Sequence, residues 1–520
     1  MNAPLKTVEK TVEKTAEGSP KGVAPEVETV IIGAGFSGMC MAIKLQEAGK
    51  TDFVILEKAD DIGGTWRDNT YPGCACDVPS HLYSFSFEGN PEWSRMYSGQ
   101  KEIWAYQKRV ADKYGLRKYC RFNEGIESAR FDEENLIWQV KTLKGREITC
   151  RNLISGVGAL CLPAYPTLKG IENFKGAAFH SAEWNHDVDL RGKKVAVIGT
   201  GASAIQFVPE IQPEVAHLTL FQRTAPWVLP KDDRPMTGWE KWLFKHVPFA
   251  RRLFRGAIWA RMELGTWFFV NNPDQVKKGE ALGRKYLRKA VKDPELRKKL
   301  TPTYQLGCKR VLLSNNYYEA LAAPNASVET DGIAEVREHS VITHDGREIE
   351  VDAIIYGTGF KATDPFAEIS IKGRGGCDLN EVWGELGGAE AYYGITTSGF
   401  PNFYMLLGPN TGLGSNSIIL MIEAQVHYTM EALKLMDRDR LAALELKPEV
   451  QAAFNGKLQA EIGHTVWATG CNSWYIAETG KNTTIWPGLT MSYRQQTREL
   501  DPTDYIETPI TAPVIQAAAD

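Results

Sequence analysis

The sequence predicts an α/β protein that contains two Rossmann-like dinucleotide-binding folds. At two places a run of β-branched residues leads into a glycine-rich turn and then a helical pattern, which is typical of a βαβ unit. These runs are residues 27–32, before Gly33, and residues 193–198, before Gly199. Because the two turns are 166 residues apart, they belong to separate units.

Composition and charge are those of an ordinary globular protein. Hydrophobic residues make up 43% and charged residues 24% of the 520 residues, and the formal net charge is −4. The bulk sequence therefore gives no reason to expect a nucleic-acid partner or an anionic membrane. No uninterrupted apolar run reaches the length of a spanning helix, so we expect no integral membrane segment.

The cysteines are nine in number and scattered along the chain. An odd, dispersed set argues against a disulfide framework and favours a reducing compartment, the cytoplasm. Cys74 and Cys76 are separated by one residue, not by the two of a dithiol redox motif, and are interpreted as buried packing. No Cys or His cluster has the spacing of a zinc site, so we expect no metal centre.

The chain divides into a leader and two domains. Residues 1–24 are rich in Lys, Glu, Ser and Gly and are expected to form a disordered leader. Strand patterns at residues 351–356 and 403–407 end in glycine and suggest that the chain returns to the first sheet. We therefore predict a discontinuous first domain, residues 25–165 and 345–520, and a second domain, residues 166–344.

Residues 236–300 are predicted to be a helical insertion in the second domain. They hold sixteen Lys and Arg against six Asp and Glu, with Trp and Phe interleaved. Three interpretations remain open: a helical subdomain with a solvated basic face, a membrane-surface helix, and electrostatic attraction of an anionic nucleotide.

The first turn carries a complete G-x-G-x-x-G fingerprint. Its residues are Gly33, Ala34, Gly35, Phe36, Ser37 and Gly38. The glycines permit the tight turn and the approach of a pyrophosphate, and the helix N-terminus supplies N–H donors to it. Glu57, 22 residues past Gly35 and followed by Lys58, ends the next strand. An acid there accepts hydrogen bonds from a ribose diol, which favours FAD or NAD.

The second turn carries the same fingerprint with an alanine in third place. Its residues are Gly199, Thr200, Gly201, Ala202, Ser203 and Ala204, with Gln206 on the following helix. The same 22-residue offset from Gly201 ends at Arg223, followed by Thr224. A guanidinium at this position suits a 2′-phosphate, so the second site is predicted to bind NADPH. Because a nicotinamide delivers hydride to a flavin, the economical pairing is FAD in the first fold and NADPH in the second.

Two longer motifs resemble those of the class B flavoprotein monooxygenases, specifically the type I Baeyer–Villiger monooxygenases. The first is F-x-G-x-x-x-H-x-x-x-W, matched by Phe174, Gly176, His180 and Trp184. Asn185 stands where the family has Pro or Asp. The second is G-G-x-W, four residues, an aromatic and P-G-x-x-x-D, matched by Gly63, Gly64, Trp66, Tyr71, Pro72, Gly73 and Asp77. The resemblance extends over residues 27–490 and includes the glycine turns at 357–360 and 408–412.

The resemblance implies roles for particular residues. Lys309 is implied to bind the 2′-phosphate together with Arg223, and Arg310 to lie over the flavin with Asp77 as its partner. Trp474 resembles a loop tryptophan that closes over NADP; its structural alternative is loop packing. His180 is interpreted as part of a linker between the domains rather than as a general base. The remaining cofactor-binding residues implied for the first fold are Thr65, Val78 and Tyr83.

The implied reaction uses O2 to convert a ketone to an ester or lactone. A fixed cation such as Arg310 would stabilise the flavin C4a-peroxide anion that attacks the carbonyl. Bound NADP and a closing loop would exclude water. One alternative is oxidation of amine nitrogen or sulfide sulfur, which needs no cation over the flavin; another is a non-catalytic flavin-bound redox sensor. The aromatic-rich insertion near residues 227–267 and the loops at residues 410–417 and 485–490 are candidates for the substrate pocket.

Overall fold

The computed structural model describes residues 24–271, 273–468, 470, 471 and 473–510 and, outside residues 268–273, their side chains. Apart from Ala24, the predicted leader lies outside the described residues. The strands are, in chain order, β1 Val27–Ile32, β2 Phe53–Leu56, β3 Cys120–Arg121, β4 Ile126–Asp132, β5 Ile137–Thr142, β6 Glu147–Ser155, β7 Ala177–His180, β8 Lys194–Ile198, β9 His217–Phe221, β10 Val228–Leu229, β11 Leu312–Leu313, β12 Ala326–Glu329, β13 Ile333–Val336, β14 Ser340–Thr343, β15 Glu348–Glu350, β16 Ala353–Tyr356, β17 Ser370–Lys372, β18 Phe403–Met405, β19 Leu441–Leu446 and β20 Tyr505–Pro509. The α-helices are α1 Phe36–Glu47, α2 Thr65–Asp68, α3 Gln100–Lys113, α4 Ala204–Ile211, α5 Gly238–His246, α6 Pro248–Asn271, α7 Pro273–Ala290, α8 Pro294–Lys299, α9 Tyr317–Leu321, α10 Leu379–Glu385, α11 Ile418–Arg438, α12 Pro448–Gly463 and α13 Thr490–Gln496.

The first sheet has eight strands in the order β17-β4-β5-β6-β1-β2-β3, with β18 also beside β6. Strands β1, β2, β3, β6 and β18 run parallel, whereas β4, β5 and β6 form an antiparallel meander. Ile31 of β1 lies between Ile55 and Ile154 in the register. Both faces of these central strands are covered, which explains why they are continuous apolar runs rather than alternating ones.

The second sheet has five parallel strands in the order β12-β9-β8-β16-β7. Strand β16 pairs with β7 and β8, with Ile355 opposite Val197. The expectation that residues 351–356 return to the first sheet is therefore wrong, whereas residues 403–405 do pair with β6 of that sheet. The strand pattern could not separate the two outcomes, because a buried parallel strand has the same sequence in either sheet. The other domain bounds stay predictions.

The predicted helical insertion contains α5, α6, α7 and α8. Helix α5 begins with a capping box, in which Thr237 and Glu240 each accept from the other's backbone N–H. The inner side of α6 packs against the first domain through Ile258 and the half-buried Phe254 and Trp259. Among the described residues, no helix is both long and apolar enough to cross a bilayer.

The C-terminal part of the chain returns to the first domain. Helix α11 packs against α1, and the antiparallel pair β19–β20 packs at its end. One disulfide, between Cys308 and Cys471, joins the segment between α8 and β11 in the second domain to the loop before α13. A single disulfide between residues 163 apart was not foreseeable from scattered cysteines, because its two partners meet only through the tertiary fold. The other seven cysteines are free thiols.

Candidate active site

The first glycine turn is shaped to leave backbone exposed to a ligand. Gly33 has φ +91°, and a Cβ there would lie 2.8 Å from the Gly156 carbonyl oxygen. A Cβ on Gly38 would lie 1.9 Å from the Gly33 oxygen, so helix and turn are in direct contact. Beside Gly35, in contrast, the nearest atom is the Gly64 Cα, at 3.8 Å. The space above Gly35 is therefore open at the N-terminus of α1, as a pyrophosphate requires.

Glu57 lies at the end of β2, where the 22-residue offset predicted an acid. Its carboxylate accepts from the backbone N–H of Ala34 at 2.8 Å and of Ala59 at 3.0 Å. Arg67 donates to the same carboxylate at 3.1 Å, and both side chains are over nine-tenths buried. A buried carboxylate fixed beside the turn is positioned to accept from a ribose diol. Lys58 follows it directly.

The second glycine turn repeats this design. Gly199 has φ +107°, and its Cβ would lie 2.4 Å from the carbonyl oxygen of Gly357, which follows β16. Gly201 has the Gly357 oxygen as its nearest neighbour, at 3.8 Å, so the space above it is open. The carbonyl oxygen of Gly357 therefore faces Gly199 in the second fold as that of Gly156 faces Gly33 in the first.

Arg223 and Lys309 form an unneutralised pair of cations beside the second turn. Arg223 is exposed at the end of β9. Neither side chain forms an ion pair with the described residues. Burial, and next the charge of Arg223, lower the pKa of Lys309. Two neighbouring cations with no acid paired to either are suited to bind a dianion, and the predicted 2′-phosphate role of Arg223 and Lys309 stays a prediction. Thr200 donates to the backbone oxygen of Thr224 at 3.2 Å, which fixes the segment that carries Arg223.

Arg310, the residue after Lys309, faces the first domain instead. Its Nη2 and Nε donate to one oxygen of Asp77 at 2.6 and 3.1 Å. The negative charge of Asp77 raises the pKa of Arg310. Burial alone would raise the pKa of Asp77, but the charge and hydrogen bonds of Arg310, with a contribution from Lys231, lower it. The pair is therefore ionised near neutral pH, with about a quarter to a third of each side chain still exposed.

Two residues beside this ion pair were missed by the sequence analysis. Lys231 donates to the backbone oxygen of Cys76 at 3.1 Å and so fixes the residue before Asp77. Tyr475 is fully buried; burial raises its pKa to about 12, with the charge of Arg310 opposing the rise. Neither residue belongs to a short motif, so only the folded chain brings them together.

Other predicted residues of the first site form a packed wall. The Trp66 Nε1 donates to the Tyr83 hydroxyl at 3.0 Å. Tyr83 also packs edge-on against Phe36, with ring centroids 5.6 Å apart. Buried Val78 follows Asp77, and Thr65 begins α2 immediately after Gly64. Ser37 is buried in the first turn of α1.

Gln206 joins the two folds directly. Its side chain accepts from the Tyr71 hydroxyl at 2.9 Å and donates to the Ala75 oxygen, also at 2.9 Å. Gly73 has φ +74°, and a Cβ there would lie 2.7 Å from the Gln206 backbone oxygen. The Pro-Gly of the second motif therefore permits close contact with α4, where Ala202 and Ser203 precede the helix. Gln206, predicted to bind cofactor, is placed at this domain contact.

The first motif follows the edge of the second sheet. His180 ends β7, and its Nδ1 accepts from the Ala182 N–H at 3.1 Å; burial lowers its pKa. Trp184 packs against Phe207 of α4, with ring centroids 5.4 Å apart. A Cβ on Gly176 would lie 2.2 Å from the Asp352 oxygen and would also meet the Phe174 ring. These contacts are those of a linker, and they bring no motif residue to Arg310.

Trp474 lies in the loop that the disulfide attaches to the second fold. Its side chain is 42% exposed, and its ring contacts the ring of the neighbouring Tyr475, with the centroids 4.5 Å apart. Cys308 and Cys471 pack with Trp467, Tyr475 and Ile485 in one small cluster.

The two predicted pocket loops are brought together by backbone hydrogen bonds. The N–H of Asn410 donates to Thr483 at 2.8 Å, and the N–H of Gly412 donates to Thr484 at 2.7 Å. Among the described residues, no group of His, Cys, Asp and Glu is arranged to hold a metal ion.

Comparisons with known proteins agree with this geometry. A family model described as pyridine nucleotide-disulphide oxidoreductase matches residues 30–238. A Baeyer–Villiger monooxygenase of Pseudomonas aeruginosa is 50% identical over 94% of this chain and 93% of its own. The crystal structure of cyclohexanone monooxygenase from Rhodococcus sp. Phi1 bound to NADP+ is 29% identical, with a TM-score of 0.83, covering 94% of this chain and all of its own. A crystal structure of OTEMO in complex with FAD and NADP is 28% identical, with a TM-score of 0.85 and the same coverage. On this likeness, which extends over nearly the whole chain, the protein belongs to the family of Baeyer–Villiger monooxygenases.

Proposed function

We propose that the protein binds FAD in the first fold and NADPH in the second, and uses O2 to convert a small organic ketone to an ester or lactone. The observation that carries this proposal is the Lys309–Arg310 dipeptide. Lys309 lies beside Arg223 at the second glycine turn, while Arg310 donates to Asp77 of the first domain. One dipeptide therefore contacts both predicted cofactor sites.

The roles proposed for Arg310 and Asp77 follow from their charges. A bound reduced flavin supplies the activation of O2, and the nicotinamide supplies its hydride. Arg310 places a positive charge where negative charge develops as the ketone is attacked, and a fixed cation in a partly water-excluded site stabilises that charge effectively. Asp77 accepts from both Nη2 and Nε and thereby fixes the plane of the guanidinium.

Exclusion of water is assigned to the loop that carries Trp474. Trp474 is exposed and makes one ring contact, so it is free to cover a nucleotide bound at the second turn. Tyr475, next to it, is buried in the cluster around the disulfide. A tryptophan that closes while its neighbour stays packed would shield the site without moving Arg310.

We also propose a cytoplasmic location. Seven of the nine cysteines are free thiols, as expected in a reducing compartment, and the Cys308–Cys471 disulfide is the exception to that expectation.

The test is product analysis under ¹⁸O2. Wild-type protein with NADPH and a panel of cyclic, linear and aryl ketones is expected to give esters or lactones that carry one ¹⁸O atom. Arg310→Ala should retain FAD and still oxidise NADPH but lose ester formation by on the order of a hundredfold or more. The matched control is Arg347→Ala, which removes an arginine from a surface acid cluster of the second domain.

Three outcomes would count against the proposal. Ester formation by Arg310→Ala would remove the assigned role of the arginine. Labelled N-oxides or sulfoxides from added amine and sulfide substrates, with no ester from any ketone, would favour heteroatom oxidation. Bound flavin with no substrate-dependent consumption of NADPH and O2 would favour a redox sensor.

A further inference from the structure

The outer face of α5 and α6 is an apolar surface without a protein partner. Its large side chains are exposed to the following extents: Trp239 66%, Trp242 55%, Phe249 71%, Leu253 64% and Leu264 58%. In α6 these residues recur with Ala257 and Ala260 at intervals of three and four, which is one face of a helix. We call this set of residues the outer stripe.

Helices α5 and α6 form a hairpin, and the face of this hairpin opposite the outer stripe is attached to the rest of the protein. Phe244 and Ile258 are buried. Glu263 accepts from the Asn416 side chain and the Thr490 hydroxyl, both at 2.7 Å. The Arg255 guanidinium donates to backbone oxygens of residues 81, 82 and 84. The outer stripe is thus presented on a fixed support, and its exposure is not the result of a detached helix.

Two cations flank the outer stripe. Lys241 and the exposed Arg252 form no ion pair with the described residues, whereas Arg251 is directed towards the loop at Gly89. The acids of the hairpin are turned away or neutralised, because Glu240 pairs with Arg234 at 2.6 Å and Glu263 is buried. The formal net charge of −4 for the whole chain conceals this local excess of cations.

Aromatic residues at a cationic, apolar helical surface have the composition of an interfacial membrane helix. A second copy of the chain fits less well, because a symmetric contact would bring the same cations face to face. Helix α6 has 24 residues, so at about 1.5 Å per residue it is about as long as a bilayer core is thick, yet it is not apolar all round. Helix α6 is therefore suited to lie along the surface of a bilayer and not to span it.

We propose that the outer stripe binds the surface of an anionic lipid bilayer, with Trp239, Trp242 and Phe249 at headgroup depth and Lys241 and Arg252 on the lipid phosphates. The attachment is peripheral and reversible. Since it rests on the α5–α6 surface alone, it does not depend on the proposed reaction.

The experiment is cosedimentation of the full chain with vesicles of phosphatidylcholine alone or with about one third phosphatidylglycerol. We expect binding to the anionic vesicles, weakening with salt, and a blue shift of tryptophan emission. Lys241→Glu with Arg252→Glu should lower the affinity at least about tenfold, since each cation near an anionic surface is worth about 1 kcal/mol. Trp242→Ser with Phe249→Ser should diminish the blue shift to the part that Trp239 contributes.

Matched controls come from a surface turn elsewhere. Leu143, 67% exposed, and the neighbouring Lys144 lie between β5 and β6, and Leu143→Ser with Lys144→Glu should bind vesicles like wild type. Circular dichroism and thermal unfolding of each variant establish that it is folded.

Three results would overturn the proposal. In the first, the control and hairpin variants bind vesicles equally. In the second, light scattering shows a dimer that only the hairpin variants lose, which assigns the surface to a second copy. In the third, polyglutamate binds as tightly as anionic vesicles do, and its binding is unaffected by Trp242→Ser with Phe249→Ser. That result assigns the surface to an acidic protein partner.

Discussion

Arg310 donates two hydrogen bonds to a single oxygen of Asp77, across 233 residues of chain. This ion pair connects the segment just before β11 in the second domain to Asp77, the last residue of the second motif, in the first domain. Because one Asp77 oxygen accepts both bonds, the other oxygen is left for the solvent or a ligand.

The first prediction concerns the charge of Asp77. Asp77→Asn keeps the shape of the side chain but removes its charge, so the Arg310 guanidinium loses a charge-assisted partner worth about 1.5–3 kcal/mol. We expect product formation to fall by roughly tenfold to a hundredfold, with NADPH oxidation diverted to H2O2. Coupling is measured as ester formed per NADPH consumed. Asp233→Asn, which removes an acid paired with exposed Arg95, serves as control; equal coupling in both variants would contradict the role.

The same ion pair sets a pH dependence. The pKa of Asp77 is lowered in the folded protein, so the pair contributes stability above the unfolded pKa of about 4, and this contribution is lost as pH falls through the folded pKa. The difference in thermal stability between wild type and Asp77→Asn should be constant from pH 5 to 8 and shrink below about pH 4. A difference that changes between pH 6 and 8 would show that another group is titrating.

The second prediction concerns the preference for NADPH. Arg223→Ala and Lys309→Ala should each raise the KM for NADPH by about tenfold or more while leaving that for NADH nearly unchanged, because only the former carries a 2′-phosphate. Arg191→Ala, an exposed arginine of the same domain paired with Asp189, is the control. Steady-state kinetics with both nucleotides is the measurement. An equal rise for NADH would mean that the cations do not bind the 2′-phosphate.

The third prediction concerns the contact between the folds. Gly73→Ala places a Cβ 2.7 Å from the Gln206 oxygen at a positive φ. Gly115→Ala has a similar φ of +60° but no atom within 4 Å, so it reports backbone strain alone. We expect Gly115→Ala to lower the free energy of unfolding by about 1 kcal/mol and Gly73→Ala by roughly 2–4 kcal/mol. Denaturant unfolding distinguishes the two variants. Equal losses in the free energy of unfolding would show that the two folds move apart at the Gly73–Gln206 contact at no cost in free energy.

The fourth prediction concerns the disulfide. Adding reductant to the wild-type protein should lower the free energy of unfolding by about 2–4 kcal/mol, and so should Cys308→Ala or Cys471→Ala. The two variants should no longer respond to reductant. Cys161→Ala, which removes a free thiol, should respond like wild type. Alkylation of unreduced, denatured protein followed by peptide mass analysis is the direct check. Labelling of both Cys308 and Cys471 would show that the bond is absent.

Local features of the sequence were enough for much of the two nucleotide sites. Gly33 and Gly199 both adopt the positive φ that a tight turn needs, Glu57 directly follows β2, and Arg223 lies two residues after β9. These positions follow from the geometry of a βαβ unit, which is fixed within about 30 residues. The specific roles of Lys309 and Trp474 came from the family resemblance and stay predictions.

Features that depend on distant parts of the chain could not be predicted. Strand β16 is as apolar as its counterparts in the first sheet, so only its pairing with β7 and β8 assigns it to the second. Lys231 approaches Cys76 across 155 residues, and no local pattern marks it. Such contacts are set by packing of domains, whereas sequence periodicity reports only which face of an element is buried.

The position of the disulfide has a mechanical consequence. Cys308 precedes the dipeptide that contacts both folds, and Cys471 lies three residues before Trp474, with their Cα atoms 6.2 Å apart. If the second fold rotates relative to the first, the tryptophan loop has to travel with the second fold, although its neighbours in sequence belong to the first. The disulfide therefore keeps the tryptophan loop beside the second glycine turn while the domains rotate, so that covering the nucleotide needs only a local movement of Trp474.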